Sequence, residues 1–265
     1  MGATFRLQPT ARIGAWIALV GAVYIPISAQ ADLPIFGVGV SKLTYRESSL
    51  GVTRDAWLPT LQSKWAPDAL QGNLPIIFSG QVAKGHADYV GTGSMNHQPM
   101  SLFQWQVQSP HAQWANGYQI SPGLGYRQLY TDARGFTSTG AEGYRRTSEY
   151  WYASLAAEQT ITNGWRSMGQ FYYLLSGKQT THLGDVSGDV GKLGTVKNTQ
   201  HRGYGLNFGV CKAVEGFDVC PSFEYWRISE SDTLSRQVNG QNYLLTEPAN
   251  TTKTFQLLVH YKFKD

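Results

Sequence analysis

Thr252-Lys-Thr-Phe-Gln-Leu-Leu-Val-His-Tyr-Lys-Phe263 is the most regular stretch of the chain. Phe255, Leu257, Val259, Tyr261 and Phe263 fall on one face of an extended backbone; Thr254, Gln256, His260 and Lys262 fall on the other. Successive side chains of a strand point to opposite faces, so this alternation predicts a β-strand and not a helix. It persists for more than ten residues, beyond the usual five or six. An apolar face ending in aromatics suits lipid, and the polar face suits a wet interior.

The pattern recurs upstream. Met100 to Gln108 sets Phe103, Trp105 and Val107 against Gln104, Gln106 and Gln108. Tyr118 to Tyr130 sets Tyr118, Ile120, Leu124 and Tyr126 against Gln119, Ser121, Gly123, Gly125 and Arg127. In Arg146–Gln159, Trp151, Ala153, Leu155 and Ala157 oppose Ser148, Tyr150, Tyr152 and Ser154. Gln200–Lys212 and Phe217–Ile228 alternate in the same way, Trp165–Lys178 offers Phe171, Tyr173 and Leu175, and Ile76–Val90 is β-rich but less regular. With the terminal segment these make eight strands. Residues 159–164 and 213–216 are short connections, 109–117 is intermediate, and 131–143, 179–199 and 230–251 are long and polar. Outer-membrane barrels show this asymmetry of short turns at one end and longer loops at the other. The expected fold is therefore all-β: a closed antiparallel transmembrane β-barrel of eight strands. A soluble sandwich or lipocalin-like barrel, with the apolar faces turned inward, is the competing reading.

Leu33 to Arg46 resembles one more strand, with Phe36, Val38 and Val40 alternating with Gly37, Gly39 and Ser41. Residues 47–75 look irregular around Trp57, Pro59, Trp65 and Pro67. A ninth strand would break antiparallel closure unless a partner hides within 47–75, which makes ten strands the alternative. The chain divides accordingly into 1–31, an N-terminal segment 32–75 with one extra strand, and a barrel 76–265.

Composition agrees with this reading. Of 265 residues only 15% are charged while 42% are hydrophobic, with 29 Gly, 15 Tyr, 11 Phe and 8 Trp. Such a content of aromatics excludes a disordered chain, and the abundance of Gly and aromatics argues against a helical enzyme. Residues 1–12 carry Arg6 and Arg12 and no acid, Ile13–Ile27 is a chargeless run of 15 residues, and Ala29-Gln-Ala31 ends it. That is the layout of a secretory signal peptide cleaved before Asp32; the run is short of the roughly 20 residues that span a bilayer as a helix. Its removal takes the net charge from +4 to +2. No Lys/Arg cluster marks a nucleic-acid footprint.

Export implies an oxidising compartment, where Cys211 and Cys220 can pair. If Glu215-Gly216 is a two-residue hairpin loop, Cys211 lies opposite Cys220 at a separation that a disulfide bridges. A free pair is the alternative; the spacing suits neither a CxxC redox motif nor a zinc site.

Several segments resemble a group of eight-stranded outer-membrane barrel proteins of Gram-negative bacteria whose roles are largely unassigned. They are Pro122-Gly-Leu-Gly-Tyr-Arg-Gln-Leu129, Gly143-Tyr-Arg-Arg-Thr-Ser-Glu-Tyr-Trp-Tyr152, Gln200-His-Arg-Gly-Tyr-Gly205, Phe223-Glu-Tyr-Trp-Arg-Ile228 and Glu247-Pro-Ala-Asn-Thr-Thr252. The resemblance spans roughly 76–263 and implies a barrel in the outer membrane. It also implies that Tyr261 and Phe263 form the aromatic-ended signal read by the barrel-insertion machinery, from which Lys264-Asp265 depart.

The six His are scattered, and no HExxH, GxSxG or phosphate-loop motif is present. His201 and His260 are the candidates for a triad assembled from separate strands, although an ordinary lumen or rim position accounts for each. Arg127, Arg146, Glu149, Glu224 and Arg227 read as lumen charges, Glu149 and Arg227 breaking parity near loop ends. Buried charges must be paired, so these five predict an ion-pair network inside the barrel. The functional expectation is a barrel with a structural or surface-interaction role. It needs no metal or cofactor, its partners are outer-membrane lipid and the insertion machinery, and it binds no nucleic acid. A narrow-pore or hydrophobic-solute transporter and a lipid-modifying enzyme are the alternatives.

Overall fold

The computed structural model describes residues 34–67, 76–109, 112–114 and 117–261. The expected leader and Phe263 lie outside them. Fourteen strands follow in chain order: β1 (Ile35–Glu47), β2 (Val52–Trp65), β3 (Ile77–Gly91), β4 (Gly93–Gln108), β5 (Ala112–Trp114), β6 (Tyr118–Phe136), β7 (Glu142–Thr160), β8 (Trp165–His182), β9 (Thr195–Gln200), β10 (Gly203–Val214), β11 (Phe217–Ile228), β12 (Thr233–Val238), β13 (Gln241–Thr246) and β14 (Asn250–Tyr261).

All pairings are antiparallel. β14 lies between β11 and β1, with Val259 opposite both Val219 and Val38. From β1 the wall runs through β2, β3, β4, β6, β7 and β8. β9 and β10 then run end to end along β8, and the β10–β8 and β10–β11 ladders close the cylinder. Counting β9 and β10 as one wall strand, the barrel has ten. β5 pairs only with the start of β6, and β12–β13 is a separate hairpin within the β11–β14 connection.

The expected count of eight is therefore corrected to the alternative, ten, and the barrel starts at Ile35, not at 76. The partner hidden within 47–75 is β2, which pairs with β1 from Val52↔Glu47 to Lys64↔Ile35. Pro59 had made that stretch look irregular. It has no N–H to donate, and the β2–β3 ladder skips from Trp57↔His86 to Thr60↔Ala83 without losing register.

We call the end where β1 begins and β14 finishes the base, and the opposite end the crown. Near the base the outward side chains are apolar: Phe36, Val38 and Val40 on β1, Trp57 and Leu61 on β2, and Phe255, Leu257, Val259 and Tyr261 on β14. Phe255 and Leu257 are 52% and 44% exposed. Toward the crown the same outward rows become Lys42, Thr44 and Arg46, then Thr53 and Asp55, then Thr251 and Lys253. The inward rows change in the opposite sense. On β1 they pass from Gly37, Gly39 and Ser41 to Leu43 and Tyr45. The apolar belt from Tyr261 to Lys253 is about 20 Å tall at a strand tilt near 40°.

Above the belt lies a cluster of Leu43, Tyr45, Ala56, Leu58, Ala83, Ala87, Met100, Leu102 and Leu129, all 4% exposed or less. The strands thus rise past the belt into a crown packed like a soluble protein. Much of what reads as long loops at 131–143 and 179–199 is strand in this crown, because β6 continues to Phe136 and β8 to His182.

Candidate functional site

The lumen is layered from base to crown, each layer built by inward positions of several strands. The lowest is a vestibule of about 190 Å³, open at the base. Inward Gln62 (β2), Gln81 (β3), Gln104, Gln106 and Gln108 (β4) and Gln170 (β8) contribute to its wall. The amide of Gln170 donates to Gln106 Oε1 at 2.8 Å across the lumen, and Gln106 Nε2 donates to Gln108 Oε1 at 3.3 Å. At the mouth, Lys64 Nζ stands 3.7 Å from Glu158, which Arg166 reaches at 3.4 Å while also holding Asp218.

Cys211 and Cys220 form a disulfide in the vestibule wall, with Cα atoms 4.2 Å apart. The hairpin turn behind them is Glu215–Gly216, where both residues have positive φ, 35° and 89°. That is the primed turn which suits the twist of two-residue hairpins. His260 packs beside the bridge: its Nδ1 is 3.3 Å from Cys220 Sγ and its Nε2 is 2.7 Å from Gln62 Oε1.

Over the vestibule sits an aromatic plug of Tyr150, Tyr152, Tyr172, Leu174, Trp226 and Ile228, none more than 2% exposed. Tyr172 stacks on Trp226 with ring centres 4.8 Å apart, and Tyr152 meets Trp226 edge-on at 5.3 Å. Two glycines make the room. A Cβ at Gly205 would lie 2.8 Å from both Trp226 and Tyr172, and one at Gly125 would lie 2.5 Å from the Tyr152 ring. Arg127 is wholly buried beside the plug, 3.7 Å from Glu224 and with its guanidinium 5.4 Å from the Trp226 ring centre.

The crown holds four charges in balance. Arg146 bonds Glu47 and lies 3.2 Å from Glu247, while Arg54 lies 3.9 Å from Glu47. Tyr45 donates to Glu47 at 2.8 Å; Gln179 and Thr181 donate to Glu247 at 2.8 and 2.5 Å. All four charged side chains are 9% exposed or less. Ions removed from water need opposite charges and hydrogen bonds this close, since an unpaired one costs several kcal/mol. Glu247 belongs to the connection from β11 to β14, so the quartet also ties that connection to the lumen.

Arg127, Arg146 and Glu224 thus face the lumen, but in two separate layers. Glu149 and Arg227 do not join them. Glu149 points outward, accepting from Tyr126 at 2.9 Å and standing 4.0 Å from Lys178, and Arg227 is exposed on the outer wall. His201 is exposed at the joint between β9 and β10, and Tyr261 ends the outward row of β14. Glu47, Arg54 and Glu247, which complete the crown quartet, carry no signal as a group because Glu247 lies far along the chain from Glu47 and Arg54.

The loops above are held down. Arg145 clamps Asp185 through two hydrogen bonds of 2.8 and 2.7 Å, with its own N–H adding a third at 3.0 Å. This clamp holds the Asp185 carboxyl at about 2, below its ordinary 3.8. Asn239, at the tip of the β12–β13 hairpin, reaches Asp189 of the neighbouring loop at 2.8 Å. Asn198 Nδ2 donates to the Asp232 and Leu245 carbonyls at 3.1 and 2.9 Å.

No protein-family model matches the chain, and no curated protein does. Among solved structures, the chain is similar to Neisserial surface protein A, with 10% identity, a TM-score of 0.41, and coverage of 89% of this chain and 100% of that one. It is also similar to the beta domain of the Bordetella autotransporter BrkA, with 14% identity, a TM-score of 0.45, and coverage of 88% and 100%. A third similar structure is the Ralstonia pickettii toluene transporter TbuX, with 9% identity, a TM-score of 0.32, and coverage of 88% and 90%.

Proposed function

We propose that the protein is an outer-membrane barrel with a closed lumen, base toward the periplasm, whose crown and tethered loops present an interaction surface outside the cell. The observation that carries this reading is the reversal of the outward rows, from Phe36, Val38 and Val40 to Lys42, Thr44 and Arg46 on one strand. A belt of outward apolar side chains about 20 Å tall, close to the roughly 25 Å apolar band of outer-membrane barrels, needs lipid against it, since a soluble barrel would turn that face inward. The polar crown needs water. The Gly- and Gln-bearing lumen behind the belt suits the same arrangement.

The plug supports a closed barrel over a channel. Its rings, on β7, β8 and β11, and the apolar cluster on β1, β2, β3, β4 and β6 together fill the lumen at and above the level where the outward rows change. The crown also exposes Phe136, at the end of β6, and Leu244, on β13 of the hairpin that hydrogen bonds tie to its neighbours, at 69% and 75%. Apolar groups on an ordered, water-facing surface suit contact with another macromolecule. The leader read in residues 1–31 supplies the export this location requires.

Fractionation tests the location. The protein should be found with outer membranes, start at Asp32, and migrate differently on gels before and after boiling. Recovery from the periplasm without detergent would overturn the reading. In planar bilayers the refolded protein should produce no unitary conductance steps; regular steps would instead favour a pore.

A further inference from the structure

We propose that the vestibule at the base is a binding site for a neutral monosaccharide. Its volume, about 190 Å³, equals that of about six liquid waters, which is the size of one pyranose ring with its hydroxyls. Eight of the lining residues are glutamines. Each amide offers donors and an acceptor, the pairing that vicinal hydroxyls need because every hydroxyl both donates and accepts.

The amides are organised, and one of their donors is left over. Gln170 donates to Gln106 and Gln106 donates to Gln108, but Gln108 Nε2 is buried without a hydrogen-bond partner among the described residues. Gln108 is only 9% exposed and lines the cavity. A buried donor left unsatisfied costs about 1–3 kcal/mol, and a ligand hydroxyl accepting from it removes that cost. Tyr172 also lines the space, giving an aromatic surface for the C–H face of a sugar ring.

Charge sets the class. Lys64, Glu158, Arg166 and Asp218 at the mouth neutralise one another, and Glu224 on the deep wall faces Arg127 at 3.7 Å, so the site presents no net charge to attract an anionic or cationic ligand. The plug closes the far side. A ligand therefore enters and leaves through the base, and the site is a terminus, not a passage.

The test uses the full mature chain refolded in detergent and N-acetylglucosamine as the probe, with glucuronate and benzyl alcohol as the charged and apolar comparisons. Saturation-transfer NMR should show saturable binding of N-acetylglucosamine at millimolar concentration, with glucuronate and benzyl alcohol at least tenfold weaker. Gln108→Leu should weaken binding at least tenfold. Met168→Trp, which fills the cavity and leaves every amide in place, should abolish it. Both variants are first checked for unchanged heat-dependent gel mobility, and Gln106→Leu replaces either one that fails to fold. The proposal is overturned by absence of saturable binding up to about 50 mM, by binding indifferent to both substitutions, or by tighter binding of glucuronate or benzyl alcohol.

Discussion

The lower and upper halves of this barrel are made from the same ten strands yet arranged inside out relative to one another. In the belt, Phe255, Leu257 and Val259 face outward while Gln256 and His260 line a vestibule; in the crown, Lys42 and Thr44 face outward while Leu43 and Tyr45 pack inside. Nothing about the backbone changes between the two. What changes is the medium outside. The strand period of two sorts residues onto two faces, and the surroundings decide which face carries the apolar ones. The halves also treat charge differently: the crown buries a balanced quartet above its apolar cluster, whereas the base keeps its ion pairs at a partly open mouth.

The quartet is where the two halves should differ most. Arg146→Ala leaves Glu47 and Glu247 buried without their main cation, so urea unfolding in detergent should show a loss of about 3–5 kcal/mol. Lys64→Ala at the open mouth should cost less than about 1 kcal/mol. Similar costs at the two sites would remove the distinction between a dry crown and a wet base. Next in size is the response to an outward arginine. Leu257→Arg, in the belt, should destabilise the protein in bilayers by about 2–4 kcal/mol, and Thr44→Arg, in the crown, by less than about 1 kcal/mol.

Removing the vestibule disulfide with Cys211→Ser and Cys220→Ser should cost about 2 kcal/mol, with the hairpin still formed by its own ladder. Reducing agent should lower the stability of the unmodified protein by the same amount and leave the double variant unaffected. The smallest effect is local. The Asp185 carboxyl is held at about 2 by Arg145, so its clamp is fully present above about pH 4 and is lost as pH falls toward 2. Pepsin cleavage near Leu183 and Leu193 should rise several-fold from pH 4 to pH 2. In Asp185→Asn it should already be fast at pH 4.

How much of this was legible in the sequence follows from the same contrast. Belt segments such as Thr252–Tyr261 stand out because lipid demands an unbroken apolar row, and the Cys211–Cys220 pairing follows from counting outward from Glu215-Gly216. Crown segments hid because their outward rows are polar: Asp132 and Arg134 on β6 made strand look like loop. β2 escaped for a related reason. Its outward row passes from Thr53 and Asp55 to Trp57 and Leu61 while Pro59 interrupts the pattern, so no single alternation runs its length. The reading of Glu149 and Arg227 as lumen charges near loop ends goes against the parity that places them outward. Above the belt the outer face is in water, and the reading fails there. The plug and the quartet bring together residues that only barrel closure makes neighbours, and no local pattern announces them.

The most direct test of the inverted halves is spin-label accessibility along the outward row of β1 in lipid bilayers. Single cysteines at Val38, Val40, Lys42, Thr44 and Arg46, each labelled with the native pair left oxidised, report contact with oxygen, which partitions into lipid, or with a water-soluble nickel chelate. The account predicts oxygen dominance at 38 and 40, and nickel dominance at 44 and 46, with the crossover at 42. Uniform accessibility along the row, or a crossover running the other way, would contradict it.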